Sequence, residues 1–278
     1  MARRFDRREG VRLEVRVPAD SAEALKLLAA GRADLAVLDI HDLALAREHG
    51  ADVVGVAALV QRPLASVIAT RGVASPRALE GRRVGVTGVP SDDAVLRSTV
   101  RGAGGDPARV RTVTIGFNAV PTLLAGRVAA ATAFWNVEGV ALAQRGRGFH
   151  PFKVDEFGAP SYPELVLSAT RSTLRHHRDE IRRVLRALTR GYAFAGRNPQ
   201  RSTLDIVRAQ PGLDRRLIAR ELLVTTPIFF PADRRWGQLD AATLRAWAAW
   251  EARFGIVKQP PDVARAFDGS LVPGGPST

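Results

Sequence analysis

One stretch of this sequence occurs twice in loosely similar form. Residues 24–37, ALKLLAAGRADLAV, return as VPTLLAGRVAAAT at residues 120–132. Each copy has the pattern of a helix ended by a glycine and followed by a short apolar strand. The helices expected next are also alike, at residues 42–47 and 139–144. A duplicated helix–strand unit predicts two similar lobes, and the cleft between two lobes is a common place for a small ligand.

Composition narrows the class of protein. The chain has 278 residues, of which 46% are hydrophobic, which is enough for one large or two small cores. Its apolar runs are all shorter than the roughly 20 residues needed to span a membrane, so the sequence predicts a globular α/β protein. The chain has no cysteine, which excludes disulfides, cysteine nucleophiles and cysteine-bound metals.

The formal charge is +13, and arginine supplies most of it. Such a charge fits either an anionic partner or a genome that prefers arginine to lysine. Arginine is dense only in the first eight residues and between Arg175 and Arg190. Because no aromatic residues are interleaved with these arginines, we expect no nucleic-acid partner, whereas contact with an acidic membrane surface stays open. The charged N-terminus carries no apolar segment behind it, so no secretory signal is expected in this sequence.

Strand and helix patterns alternate along the chain, which indicates largely parallel sheets. The predicted strands are 11–17, 35–38, 53–60, 66–70, 83–87, 110–115, 130–133 and 165–170. Two of them, 66–70 and 165–170, both end in Ala-Thr-Arg and look like paired crossings between lobes. We therefore expect lobe one to hold residues 1–70 and 168–278 and lobe two to hold residues 71–167. Such an architecture can open and close around a bound molecule.

The sequence Phe134-Trp-Asn-Val-Glu-Gly139 carries the sharpest chemical signal. It follows a predicted strand and opens a helix, where α/β sheets present ligand-binding groups. There Trp135 can stack on a planar ring, and the carboxylate of Glu138 can accept two N–H bonds from an amino-substituted heterocycle. An ordinary helix start explains the segment equally well, with Asn136 as the N-cap, Glu138 in the first turn and Trp135 buried.

Weaker candidates stand at similar places. Phe117 and Asn118 lie between a predicted strand and helix, and Asn118 is also a possible N-cap. Asp39 and His41 follow the first repeat's strand, and Tyr162 lies in a proline-bracketed loop before the second crossing. The sequence shows no nucleophile–base arrangement, metal-ligand spacing or phosphate-binding glycine motif, so we expect no catalytic residues, metal or cofactor.

Taken together, these segments resemble the NMT1/THI5-like family of type II periplasmic binding proteins. The resemblance runs in order over about residues 11 to 273. The segments that carry it are 31–34, 50–54, 59–63, 81–86, 116–118, 134–139, 162–166, 246–250 and 254–256. The most specific of them are Trp-Asn-Val-Glu-Gly and the Gly-x-Pro-x-Tyr loop, which are similar to the branch that captures pyrimidine precursors of thiamine for an ABC importer.

The resemblance implies a two-lobed α/β "Venus flytrap" fold with two hinge crossings, a periplasmic or extracytoplasmic location, an ABC permease as partner and a monomeric, non-enzymatic role. It also implies that Glu138 pairs with the nitrogens of an aminopyrimidine such as formylaminopyrimidine or hydroxymethylpyrimidine, and that Trp135 or Phe117 stacks on the ring. The implied neighbours in the site are Asn136, Asn118, Tyr162 and Asp39.

Three features depart from the family pattern. No signal peptide or lipoprotein anchor is visible, the usual first strand–helix unit is not found, and Leu38-Asp39 replaces a Ser-Tyr-like pair. Enzymes of the same fold are the alternative reading. They are a pyrimidine synthase, which needs iron and a cysteine-rich loop and so disagrees with a cysteine-free chain, and a lyase of the menaquinone-pathway type. A sulfonate, nitrate or flavin-precursor binder and a ligand-sensing regulatory domain are further alternatives.

Overall fold

The computed structural model describes residues 3–18, 21–146, 148–230 and 235–274. The chain forms two compact units, each with its own sheet. Unit 1 comprises Met1–Arg62, Tyr162–Ala248 and Pro261–Thr278, and unit 2 comprises Pro63–Ser161 and Ala249–Pro260. Among the described residues, no helix combines the length and apolar character needed to cross a bilayer.

Unit 1 contains a three-stranded sheet in the order β1-β8-β2. Its strands are Ala36–Asp39 (β1), Val53–Ala58 (β2) and Leu165–Thr170 (β8). Strand β8 runs antiparallel to both neighbours. The helices that group with this unit are Phe5–Arg8 (α1), Ser21–Ala29 (α2), Ile40–Glu48 (α3), Arg171–His176 (α7), Arg178–Arg197 (α8), Pro199–Ala209 (α9), Arg215–Thr225 (α10) and Val263–Ala266 (α12).

Unit 2 contains a five-stranded sheet in the order β5-β4-β6-β3-β7. Its strands are Ala65–Thr70 (β3), Arg83–Val86 (β4), Arg111–Thr114 (β5), Ala130–Phe134 (β6) and Phe149–Lys153 (β7). Strand β4 runs parallel to β5 and β6, whereas β3 runs antiparallel to β6 and β7. Its helices are Pro90–Gly102 (α4), Ala119–Leu124 (α5) and Glu138–Arg145 (α6).

The sequence repeat is a structural repeat. In unit 1 it forms α2, β1 and α3, and in unit 2 it forms α5, β6 and α6. Gly31 and Gly126 follow the first helix of each copy, and both have a φ of 64°. This left-handed conformation favours glycine and stops each helix at the same point of the repeat.

The apolar face of the second copy forms a core of unit 2. Leu123 of α5 and Leu142 of α6 are buried against Ile68 of β3 and Ala131 of β6. Burying such side chains stabilises a fold by roughly 1.5–3 kcal/mol each, which fixes both helices on the sheet.

Several sequence expectations need correction. Residues 11–17 form no strand, and Val15 and Val17 are 72% and 76% exposed. An alternating pattern becomes a strand only when a neighbour accepts its hydrogen bonds, and the ladder of β1 is formed with β8. The sheets are not largely parallel. The sheet of unit 1 is antiparallel, and that of unit 2 is mixed, since β4 runs parallel to β5 and β6 whereas β3 runs antiparallel to β6 and β7.

The strands expected as crossings belong wholly to one sheet each. Strand β3 pairs only within unit 2, and β8 pairs only within unit 1. The units therefore divide before these strands, at 62/63 and 161/162, rather than at 70/71 and 167/168. A further difference concerns Ala249–Pro260, which was expected in lobe one and groups with unit 2.

Buried contacts explain why this late segment belongs to unit 2. It includes the last residues of the helix Ala241–Phe254 (α11). The indole Nε1 of Trp250 donates to Ser98 Oγ of α4 at 3.0 Å, and Arg97 donates to the carbonyl oxygen of Phe254. Trp250 and Phe254 are both buried.

We expect Trp250→Ala to lower the free energy of unfolding by about 3–5 kcal/mol, because it removes a large buried side chain and leaves a cavity against α4. Arg245→Ala, on the exposed face of the same helix, is the matched control and should change it by less than about 0.5 kcal/mol. Urea unfolding of both variants measures the difference. Equal stability would show that Ala249–Pro260 does not hold unit 2 together.

Candidate functional site

The topology of unit 2 places one set of predicted residues at a single sheet edge. Strands β4, β5 and β6 are parallel, so the turns that follow them emerge at the same edge. Phe117 and Asn118 follow β5, whereas Trp135, Asn136 and Glu138 follow β6. The structure thus brings these five residues to one edge. The site that they are expected to form stays a prediction.

Glu138 begins helix α6 with its carboxylate turned back toward the strand. Its Oε2 accepts a hydrogen bond of 3.0 Å from the backbone N–H of Phe134, the last residue of β6. This bond fixes the direction of the side chain. The N-cap position of α6 is occupied by Val137, so the N-cap expected at Asn136 is wrong, and Asn136 is buried instead.

Trp135 is anchored beneath this edge rather than presented on it. It is only 9% exposed, and its indole Nε1 donates to the carbonyl oxygen of Pro63 at 2.9 Å. The ammonium nitrogen of Lys153, the last residue of β7, lies 4.6 Å from the centre of the ring. A cation at this distance is attracted to the ring face, so a stacking ligand would compete with Lys153.

Phe117 has the opposite character. Its side chain is 85% exposed in the turn after β5, so a full aromatic face is available there. Next to it, Asn118 occupies the N-cap position of α5, but its side chain makes no cap. Its Nδ2 donates to the carbonyl oxygen of Ile115 at 3.1 Å, which pins the turn that carries Phe117.

The turn after β4 emerges at the same edge, and a carboxylate from helix α4 bonds to it. Asp92, in the first turn of α4, accepts hydrogen bonds at its Oδ2 from Thr132 Oγ1 at 2.6 Å and from the backbone N–H of Thr87 at 2.7 Å. These bonds tie the start of α4 to β6.

The remaining predicted residues lie in unit 1. Asp39 ends β1 and caps α3, since its Oδ1 accepts a 2.8 Å hydrogen bond from the backbone N–H of His41. Tyr162 is fully buried, its hydroxyl lies 3.2 Å from His41 Nε2, and the two rings meet edge to face at 5.0 Å. In this conformation Tyr162 is not exposed to a ligand. Its expected contact with a ligand stays a prediction.

Glu164 completes this buried group. Its Oε1 lies 3.7 Å from His41 Nε2, and its backbone carbonyl accepts from the N–H of Ile40 at 2.9 Å. Donor atoms of Asp39, His41 and Glu164 all lie within 4.8 Å of one another, a spacing that a small cation can bridge. Asp39 and His41 already bond within the group, which joins the start of β8 to the junction between β1 and α3.

Sequence reasoning missed Glu164 and Lys153. Glu164 lies two residues after Tyr162, and only the tyrosine of that segment was considered. Lys153 gave no signal, because the strand β7 that presents it contains Pro151 and was not predicted. Proline is tolerated there since β7 is an edge strand.

Comparisons with known proteins agree with the resemblance. A family model described as NMT1/THI5 like matches residues 5–202. A formylaminopyrimidine-binding protein from Halalkalibacterium halodurans is 30% identical over 194 residues, which cover 69% of this chain and 59% of that protein. The match thus spans less than two thirds of that relative's length.

A second relative is named as an enzyme. A 4-amino-5-hydroxymethyl-2-methylpyrimidine phosphate synthase from Legionella pneumophila subsp. pneumophila is 23% identical over 86% of this chain and 78% of its own length. Among solved structures, the periplasmic aliphatic sulphonate binding protein SsuA from Escherichia coli matches with a TM-score of 0.81 and 17% identity, covering 97% of this chain and 92% of that one. This likeness shows the fold, and the expected two-lobed type II α/β fold is confirmed.

Tyr162→Phe tests whether the buried hydroxyl serves the fold or a ligand. We expect the free energy of unfolding to fall by about 0.5–1.5 kcal/mol, because the hydrogen bond to His41 is lost while the ring still packs. Affinity for a small ligand should stay within about threefold, a difference of well under 1 kcal/mol. The two measurements are urea unfolding and calorimetric titration. Unchanged stability with a large loss of affinity would restore Tyr162 as a ligand-contacting residue.

Proposed function

Because the chain belongs to the NMT1/THI5-like family, we propose that it is the substrate-binding component of an ABC importer and captures a pyrimidine precursor of thiamine. The observation that carries the proposal is the sheet edge of unit 2, where an exposed aromatic ring, Phe117, follows β5 and an oriented carboxylate, Glu138, follows β6, the two parallel strands on either side of β4. A flat, amino-substituted ring needs these two kinds of contact.

The different burial of the two aromatic residues supports different roles for them. Phe117 offers an open face for stacking, whereas Trp135 is buried, bonded to Pro63 and covered by Lys153. Phe117 is therefore the residue that stacks on the ring of the ligand. Trp135 supports the turn between β6 and α6, which holds Glu138 in position.

Glu138 supplies a charged hydrogen-bond acceptor in a fixed orientation. One oxygen is held by the N–H of Phe134, which keeps the charge at a fixed place, and a charged acceptor bonds an amino group more strongly than a neutral one. Binding would then need no catalytic group, only better contacts in the ligand-bound conformation than in the free one.

The relatives support this role in different degrees. The named binding protein supports capture of formylaminopyrimidine, and the fold of periplasmic binding proteins supports an extracytoplasmic location and a permease partner. The relative named as a synthase supports catalysis as the second candidate. Recovery of an unchanged pyrimidine after long incubation with the purified chain would favour binding over turnover, and a new product would favour the enzyme.

We expect Glu138→Gln to weaken binding of formylaminopyrimidine by about 10- to 150-fold, since a hydrogen bond to a charged group contributes about 1.5–3 kcal/mol. Phe117→Ala should weaken it by up to about tenfold through loss of stacking. Calorimetric titration against the unmodified chain measures both effects.

The matched control is Asp106→Asn, which replaces an exposed carboxylate before β5, at the opposite edge of the same sheet. Asparagine preserves its cap, so affinity and stability should both be unchanged. Tight binding that survives in Glu138→Gln and Phe117→Ala would show that the ligand is held elsewhere. Absence of binding in the folded, unmodified chain would reject the proposed ligand itself.

A further inference from the structure

Two arginine-rich segments that are distant in sequence lie together in unit 1. Helix α1 packs against α8, with the rings of Phe5 and Phe194 6.1 Å apart. Glu9 accepts from Arg186 at 2.7 Å and pairs with Arg190 at 2.8 Å. These contacts join residues 3–18 and 171–190 into what we call the basic surface.

The basic surface carries much of the chain's charge. Its two segments contain thirteen arginines and five carboxylates, a surplus of eight, whereas the whole chain has a net charge of +13. Three carboxylates from other segments, Asp52, Asp205 and Asp268, each pair with one of these arginines. Five positive charges remain after these pairs are counted, so the surface attracts anions.

Individual contacts show that the charge is presented outward. Arg7, Arg12 and Arg175 are exposed and make no ion pair within the part of the chain that the structure describes. The hydrogen bond from Arg186 holds the pKa of Glu9 below its usual value, so that this carboxylate stays ionised between two arginines. Beside them, a cavity of about 560 Å³ is lined by His176, by the carboxylates Asp179 and Glu180, and by five arginines, which are Arg175, Arg178, Arg182, Arg183 and Arg186.

We infer that the basic surface docks on an anionic lipid membrane. The negatively charged phosphates of lipid headgroups attract the arginines, and apolar side chains can insert into the bilayer interface. Val15 and Val17 are strongly exposed on either side of Arg16 in the same segment, and they are suited to that interface.

Nucleic acid fits the surface less well. Single strands are held by stacking on open aromatic rings. The one phenylalanine of the basic surface, Phe5, packs on Phe194 next to that surface. The guanidinium groups of Arg8 and Arg3 lie 5.8 Å from the ring of Phe5 and 4.7 Å from that of Phe194, so neither ring is open for stacking. Exposed valines also have no role against a phosphate backbone.

The test is co-sedimentation of the full chain with phosphatidylcholine vesicles, with and without phosphatidylglycerol, at low and high salt. Binding should require phosphatidylglycerol and fall as salt rises, because salt screens exposed charges. A basic residue near an anionic surface contributes about fivefold to partitioning, so the combined variant Arg7→Gln, Arg12→Gln and Arg175→Gln should bind about 100-fold more weakly.

The matched control replaces three exposed arginines outside the surface, Arg111→Gln, Arg127→Gln and Arg215→Gln, and has the same net charge. It should retain nearly all of the vesicle binding. An equal loss in both variants would assign the attraction to overall charge and overturn the inference. Binding to plain phosphatidylcholine, or to no vesicle at all, would overturn it as well.

A second variant tests the lipid assignment without altering charge. Val15→Ser with Val17→Ser should leave the fold intact, because both side chains are exposed, and should weaken vesicle binding by about fivefold or more. Unchanged binding would reject insertion into a bilayer. Tighter binding to duplex DNA than to anionic vesicles, lost in the arginine variant, would assign the surface to nucleic acid instead.

Discussion

The parallel arrangement of β4, β5 and β6 is the constraint on which the chemistry of unit 2 depends. Each of these strands is followed by a turn and a helix, so every turn must leave the sheet at the same edge. Residues far apart in sequence are brought to that edge without any need to contact one another. The edge also explains the local bonds, because Asp92, Asn118 and Glu138 each return a side chain to the backbone of the turn before their own helix.

In unit 1, the corresponding copy of the repeat has side chains with a different role. Where β1 meets α3, Asp39 bonds the backbone of His41, and the His41 side chain contacts Tyr162 and Glu164 inside the unit. Burial of a charged group is costly unless partners compensate it, and here imidazole, hydroxyl and carboxylate are assembled together. The two copies therefore share a backbone plan, while the side chains that follow their strands have different partners.

Most helices and strands could be predicted from the sequence, because they depend on short-range patterns of residues. Apolar periodicity and glycines located the helices and most strands, since Gly31 and Gly126 stop their helices through a backbone conformation that other residues avoid. Strand Leu165–Thr170 was predicted with its observed bounds. Partners were harder to predict, because the alternation at residues 11–17 says nothing about whether a neighbour exists, and because the edge strand β7 has an irregular composition.

At the candidate site, sequence identified the turns but not the state of each side chain. Trp135 and Phe117 were interchangeable as stacking residues until burial distinguished them, and Lys153 entered only through the strand that had been missed. The basic surface gives the same lesson on a larger scale. Its two segments were each visible as arginine-rich, yet only the packing of α1 on α8 makes them one surface.

The return of Ala249–Pro260 to unit 2 has a practical consequence for dissecting the molecule. Unit 2 is not a contiguous stretch of chain, since its main body ends at Ser161 and its last segment follows 87 residues later. A fragment comprising residues 63–161 alone would expose the side of α4 that Trp250 covers. Expressing this unit in isolation therefore calls for a permuted gene in which residues 249–260 are joined to it by a linker.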